Sequence, residues 1–426
     1  MQYLKKDSSE EQELLQRFLR YAQTWSTSSA ENADKGIMPS TPQQAAFAAA
    51  LAQELQQLSL CGVQITEHSY VYGYLPATAG ANTDAGFCLM AHMDTVEEVS
   101  GEHVQPRVIR DYDGSAVTLS DGFILNPENS PALQQAGKEQ DTIITTDGTT
   151  LLGGDDKAGI AAIMTALAFL KNHPEIPHAK IEVLFSPDEE TGHGMDKVPL
   201  PLLTSPCAYT VDGGHIGELE TECFNAWKSD VTFTGKSTHT GTARAEKMVN
   251  AVTMAAAFVA ALPRHEAPET TDGYEGFFAP MDITGSIESA HVTLLLRDFS
   301  DSGMELRKQK TEQLAQTTAQ LFGGTAQVVH TRQYLNMKQG LEKVPQVVSN
   351  LRTAYERSGV TPVYNPIRGG TDGSRLTELG IPAPNIFTGA HNYHSRYEWV
   401  SLSQMRAAAE ILIQLAQLTA DGGQQK

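Results

Sequence analysis

Apolar residues recur along this 426-residue chain with two different spacings. Near the start, Leu14, Leu15, Phe18, Leu19 and Tyr21 fall at helical spacing. Phe47, Leu51, Leu55 and Leu58 do so again after Ser40-Thr41-Pro42, a cap and a proline suited to a first helical turn. A polar stretch, 27–41, separates the two. Short β-rich runs follow at 63–65, 71–75 and 85–90, then at 180–185 and 208–211. From about 224 to 333 the grain changes: strand (230–233), helix (248–262), strand (291–296), helix (304–321), strand (325–331). Two helices laid on a small antiparallel sheet explain that order. Alternation returns with 384–387 and a last helix near 404–418, and the polar, Gly-rich tail 421–426 is expected to fray. The pattern predicts an α/β main domain built from 1–223 and 334–426, interrupted by an inserted α+β domain at 224–333.

Four predicted strands run straight into a residue able to bind metal. The run 87–90 leads to His92 and Asp94, 181–185 to Asp188-Glu189-Glu190, 208–211 to Asp212, and 384–387 to His391 and His394. A fifth site, Gly153-Gly154-Asp155-Asp156-Lys157, precedes a helix whose buried face includes Ile160, Met164 and Leu167. Ligands of open α/β sheets bind beyond the carboxyl ends of strands, so these side chains predict one shared pocket. Carboxylates crowded there repel one another, and a divalent cation removes that penalty. With imidazole and carboxylate and no thiolate, zinc fits, and manganese and cobalt are alternatives. Two imidazoles and three carboxylates serve two cations only if one carboxylate bridges; such pairs sit about 3.5–4 Å apart and share an activated water. A further carboxylate must act as general base, and neighbours such as Glu189 and Glu190 point opposite ways in an extended segment. Taken singly, Asp155 or Asp156 reads as a helix N-cap, Asp188 to Glu190 as a solvated turn, and His394 as a surface histidine. Their joint position at strand ends points to metal.

Charge and cysteine content narrow the setting. Lys and Arg number 31 against 51 Asp and Glu, a net charge of −20, which repels nucleic acid and anionic membrane. Cys61, Cys88, Cys207 and Cys223 form no C-x-x-C pair, which fits reduced thiols and a cytoplasmic location. The first residues carry acids and no apolar block, unlike a signal peptide. The most apolar later stretch, 254–262, is too short to span a bilayer.

The chain resembles the peptidase T family of tripeptide aminopeptidases, within the dizinc aminoacylase and carboxypeptidase superfamily. The most specific pieces are Thr145-Thr146-Asp147-Gly148, Leu151-Leu152-Gly153 with Asp155-Asp156-Lys157-Ala158-Gly159, Pro187-Asp188-Glu189-Glu190 and Tyr209-Thr210-Val211-Asp212-Gly213-Gly214. Gly273-Tyr274-Glu275-Gly276-Phe277, Arg297-Asp298-Phe299, Arg368-Gly369-Gly370-Thr371-Asp372-Gly373 and Asn392-Tyr393-His394 extend it along nearly the whole chain. The resemblance implies a catalytic domain with a mixed sheet between helices, two Zn2+ per subunit and an inserted lid that pairs subunits into a homodimer. It implies that His92 and Asp212 hold one zinc, Glu190 and His394 the other, and that Asp155 bridges them. Asp94 would orient His92, Glu189 would be the base, and the bond after Asp155 would be cis. In the lid, His239 would polarise the scissile carbonyl and Arg297 would meet the peptide carboxylate, with Asn250 and Arg368 as lesser substrate contacts. The implied reaction is removal of the N-terminal residue from short peptides; the alternative is an N-acyl-amino-acid amidohydrolase or dipeptidase of the same superfamily. A non-catalytic peptide-binding protein would usually lack one ligand or the base, and here all are present. Departures lie in the lid: Thr240, Arg244 and Ala245 replace the usual Pro, Lys and Gly, with one extra residue before Met248. Gly154 and Tyr397 replace a usual Ala and His.

Overall fold

The first leucine-rich stretch folds as the helix Ser9–Ala22, whose N-cap Ser8 accepts the Glu11 N–H. The structure is a computed structural model that describes residues 2–82 and 85–420; the tail 421–426 lies outside the described residues. The helix Pro42–Gln57 opens on its proline as expected, but Thr41 makes no side-chain cap and Ser40 turns inward to Asp188. The chain divides into two units, Met1–Thr221 with Gln339–Asn365 and Thr371–Lys426, and Glu222–Lys338 with Pro366–Gly370.

The first unit is built on a seven-stranded sheet in the order Cys61–Ile65, Val71–Leu75, Ile181–Ser186, Phe87–His92, Ala208–Gly213, Asn385–Phe387, Leu219–Glu220. The middle four run parallel and the outer strands antiparallel, so the sheet is mixed. Alternation sends Phe87, Leu89 and Ala91 to one face and Cys88 and Met90 to the other. Helix Gly154–Asn172 lies on the first face, with Ser9–Ala22 and Leu402–Thr419 packed against it. It is buried from Asp156 to Leu170, because it has apolar neighbours on all sides rather than one. Gly159 permits the close approach: a Cβ there would overlap the Val211 carbonyl oxygen. The opposite face is covered by Tyr70, Met195, Leu203 and Leu376.

One segment of this unit had no counterpart in the apolar pattern. Strands Arg107–Ile109 and Ile143–Thr145 join Trp399–Ser401 and Ala390–His391 in a small antiparallel sheet, with a hairpin of Val117–Thr118 and Ile124–Leu125 and a helix Pro131–Lys138 beside it. Strands of two or three residues are too short to show a period.

The second unit is a four-stranded antiparallel sheet, Phe277–Gly285, Ser289–Asp298, Asn225–Thr234, Thr325–Tyr334, with helices Ala251–Ala261 and Asp301–Phe322. Phe233, Met254, Phe258, Val292 and Leu294 form its core. The strand Phe277–Gly285 was not anticipated; it contains Pro280, which an edge strand tolerates. The unit begins at Glu222, and Pro366–Gly370, expected with the main domain, belongs here. Ile367 donates its N–H to Glu222, and Arg368 donates to the carbonyls of Gly273 and Glu275 and to Thr271 Oγ1.

Candidate metal centre

Three neighbouring parallel strands deliver acids and an imidazole at their carboxyl ends. His92 closes Phe87–His92, Asp212 stands near the end of Ala208–Gly213, and Glu189 and Glu190 follow Ile181–Ser186 by a short turn. His92 Nε2 lies 2.8 Å from Asp155 Oδ1 and 3.4 Å from Asp212 Oδ1. His394 Nε2 lies 3.1 Å from Glu190 Oε2 and 3.4 Å from Asp155 Oδ2. Two groups of donors result, His92, Asp155, Asp212 and Asp155, Glu190, His394, each with its atoms within 4.8 Å of one another. Asp155 is common to both.

Helix capping sorts the aspartate pair. Asp156 Oδ1 accepts the Gly159 N–H and Oδ2 accepts the His92 N–H, so Asp156 takes the structural work of the helix start. Asp155 is thereby left with its carboxylate facing the imidazoles, and the bond between the two is cis. Asp94 has a different geometry from the expected steering of His92. Its backbone carbonyl is the nearer partner of His92 Nδ1, at 3.1 Å, against 3.5 Å for its carboxylate. The carboxylate itself accepts the N–H groups of Glu189 and Glu190, at 3.0 and 3.1 Å, and so fixes the turn that carries both acids.

The electrostatics favour a cation. Burial alone would raise the Asp155 carboxyl, but hydrogen bonds from His394 and His92 hold it low. Burial pushes Glu190 up to about 8, with Asp155 adding to it, and Asp212 up to about 6. Glu189 is raised by burial and by Asp212, Asp372 and Glu190, against the pull of His92. Hydrogen bonds to Asp155 and Glu190 raise His394 to about 10. Protons are thus held where a metal would hold the same donors. Glu190 Oε1 is buried and has no hydrogen-bond partner, an acceptor aimed at something else. The donor set therefore fits divalent cations of the zinc type.

Several supporting residues went unrecognised in the sequence. Glu398, buried, accepts N–H groups from Leu152, Gly153 and Asp155 at 2.8, 2.7 and 3.1 Å, clamping the turn before Asp155. Asn385 Oδ1 accepts the Asp212 N–H, and its amide donates to Glu220. Asp372 is buried and accepts the Ser186 hydroxyl. The first histidine after Asn385–Phe387, His391, is in neither donor group: it stacks on Trp399 at 4.2 Å and meets Gln404 Oε1.

The remaining candidates belong to the second unit. His239 Nδ1 accepts the Gly241 N–H, so Nε2 carries the proton and is a donor. Asn250 caps Ala251–Ala261 through the N–H groups of Val252 and Thr253. Arg297 lies over the Tyr334 ring and donates to the Leu296 carbonyl; Asp298 pairs with Arg307 instead. Arg368 is engaged with the 271–275 loop and stacks on Phe224 and Phe277.

A doubly covered mixed sheet with this centre at its strand ends is the frame of one peptidase class, and residues 147–418 match Peptidase family M20/M25/M40, to which the chain belongs. Within that family the likeness is to peptidase T. The chain is 44 % identical to Peptidase T of Shewanella sediminis over 412 residues, covering 96 % of this chain and 98 % of that one. It is 44 % identical to Peptidase T of Geobacillus kaustophilus over 411 residues, with the same coverages. Aminopeptidase PepT from Bacillus cereus shares the fold at a TM-score of 0.72 and 24 % identity, covering 96 % and 99 % of the two chains. A dinuclear metal binding peptidase from Bacillus subtilis does so at 0.66 and 12 %, covering 97 % and 99 %. Among the described residues no helix is long and apolar enough to cross a membrane.

Proposed function

We propose that this chain removes the N-terminal residue from tripeptides with the help of two divalent cations, zinc in the first instance. His92, Asp155 and Asp212 would hold one, and Asp155, Glu190 and His394 the other. The observation that carries the reading is Asp155, placed between two imidazoles with a carboxylate oxygen toward each. Full-length identity to proteins named Peptidase T supports the substrate class. Bound cations would supply Lewis acidity and a water whose pKa is lowered toward neutrality.

The chain's own residues supply the rest. Glu189 takes a proton from the attacking water as the water oxygen bonds to the first peptide carbonyl carbon. It returns that proton to the departing nitrogen as the C–N bond breaks. Asp94 holds the Glu189 backbone in place for both transfers. In the second unit, His239 Nε2–H has the proton needed to stabilise the developing oxyanion, and Arg297 has a guanidinium for the peptide carboxylate, with Asn250 and Arg368 as lesser contacts. A cytoplasmic homodimer formed through the lid, residues 224–333, completes the reading.

The test is turnover of tripeptides, dipeptides and acetylated amino acids with and without a chelator, reading which bond is cut. Chelator-sensitive release of the N-terminal residue from tripeptides is expected. Preference for acetylated amino acids would assign the chain to amide hydrolysis instead.

A further inference from the structure

Beside the His394 loop lies a cavity of about 410 Å³ that the proposed chemistry does not use. One wall comes from the unforeseen hairpin and the turn after it, with Ile124, Leu125 and Asn129; the other is the loop itself, with Asn392, Ser395 and Tyr397. Its volume is within the roughly 300–1,000 Å³ of small-ligand pockets. The two walls are fixed to each other: Phe123 meets Tyr397 edge-on at 5.4 Å, and Arg396 lies over Phe123 and donates to the Gly148 carbonyl. The loop is braced by Asn392 Nδ2 donating to Tyr397 O and by Ser395 Oγ donating to Asn392 O.

The lining shows what would enter. Among the described residues that line it none is charged, in a chain with net charge −20. Ile124 and Leu125 offer apolar surface. Among the described residues, the Asn129 amide, Asn392 Oδ1 and the Tyr397 hydroxyl make no hydrogen bond within the protein, although the neighbouring Asn126 and Ser130 are engaged in capping. Unengaged donors and acceptors beside aliphatic side chains suit a neutral side chain together with its peptide group. Ser395 directly follows His394, and adjacent Cα atoms are about 3.8 Å apart, whereas an extended tripeptide spans about 10 Å. A peptide held at His394 therefore has the length to extend into this space.

We infer that the cavity is a specificity subsite that receives one uncharged side chain of the peptide substrate. This rests on the peptidase reading above and adds to it which substrates are preferred. Asn129→Trp and Ile124→Trp would each fill the cavity from an exposed position. On the metal-loaded full chain, kcat/KM is compared for Gly-Gly-Gly and for the three single-leucine tripeptides, with lysine and aspartate counterparts. In at least one position the preference for leucine over glycine should fall about tenfold in both variants, the scale of one lost hydrophobic subsite. Calorimetry with N-acetyl-leucinamide reads the site without turnover: binding to the native protein should be lost in both variants. If peptides are cut with unchanged side-chain preference and the probe binds all three proteins alike, the subsite is refuted and the peptidase reading stands. If no peptide is cut but both variants abolish probe binding, the peptidase reading falls and the pocket remains.

Discussion

Glu398 serves three backbone N–H groups at once; burial pushes its carboxyl up to about 7, and these hydrogen bonds oppose that by favouring the ionised form. Glu398→Gln would turn an NH2 group toward those donors, losing one or two acceptors in a buried place. The expected cost is about 1–3 kcal/mol in folding stability, read by denaturant titration, with weaker zinc retention in a chelator competition. Glu189→Ala has the opposite profile. Glu189 belongs to neither donor group, so the variant should keep its metal by elemental analysis while kcat falls at least about 100-fold. Near-normal turnover would remove Glu189 from its role as base. The five residues of the two donor groups were legible because each ends a strand, follows one within a short loop or starts a helix, where an α/β sheet gathers its ligands. Glu398 was not, because its partners are main-chain groups that no side-chain pattern marks. Asp94 was half legible: two residues from His92 it reads as a steering carboxylate, yet the turn path presents it to Glu189 and Glu190.

At the level of elements, the centre depends on how near the helix Gly154–Asn172 comes to the sheet. Gly159→Ala would put a methyl group into the Val211 carbonyl, and the helix or the strand must move. A loss of about 1–3 kcal/mol is expected, together with a displaced Asp212 and reduced zinc stoichiometry. A thermally unaltered variant with a full metal complement would show that the contact relaxes at no cost. The helix was recognised from Ile160, Met164 and Leu167, but an apolar stripe predicts one buried face, and this helix is covered all round. The hairpin and short strands between Arg107 and Thr145 were missed for the reverse reason, too few residues per strand to form a pattern. Of the long strands of the second unit, Ser289–Asp298 alternates plainly and was found near its true place, whereas Phe277–Gly285, exposed from Pro280 onward, shows no such alternation and was missed.

At the scale of the whole molecule, buried acids tie stability to cation supply. A divalent ion at 100 times its Kd should stabilise the fold by about 2.7 kcal/mol, read as a rise in Tm that Asp155→Ala abolishes. Proton linkage gives a second test. Burial, with His215 alongside, lowers His391 to about 4, against a hydrogen bond to Gln404. The unfolded chain then binds this proton more readily than the fold, so the contribution is intact above pH 6.5 and declines as acid approaches pH 4. The loss at pH 4 is about 3 kcal/mol, read as the difference in pH dependence between the native chain and His391→Gln. The two donor groups also differ in their access to solvent: the His92 side chain is 2 % exposed and that of His394 45 %. The group with His394 is the more open of the two, so ions held there should dissociate faster. Dilution into metal-poor buffer would strip the outer site first and leave a singly loaded species, which lacks one of the two ions that the proposed reaction uses. Scarcity of the metal would then act as a throttle on peptide breakdown well before the fold itself is lost.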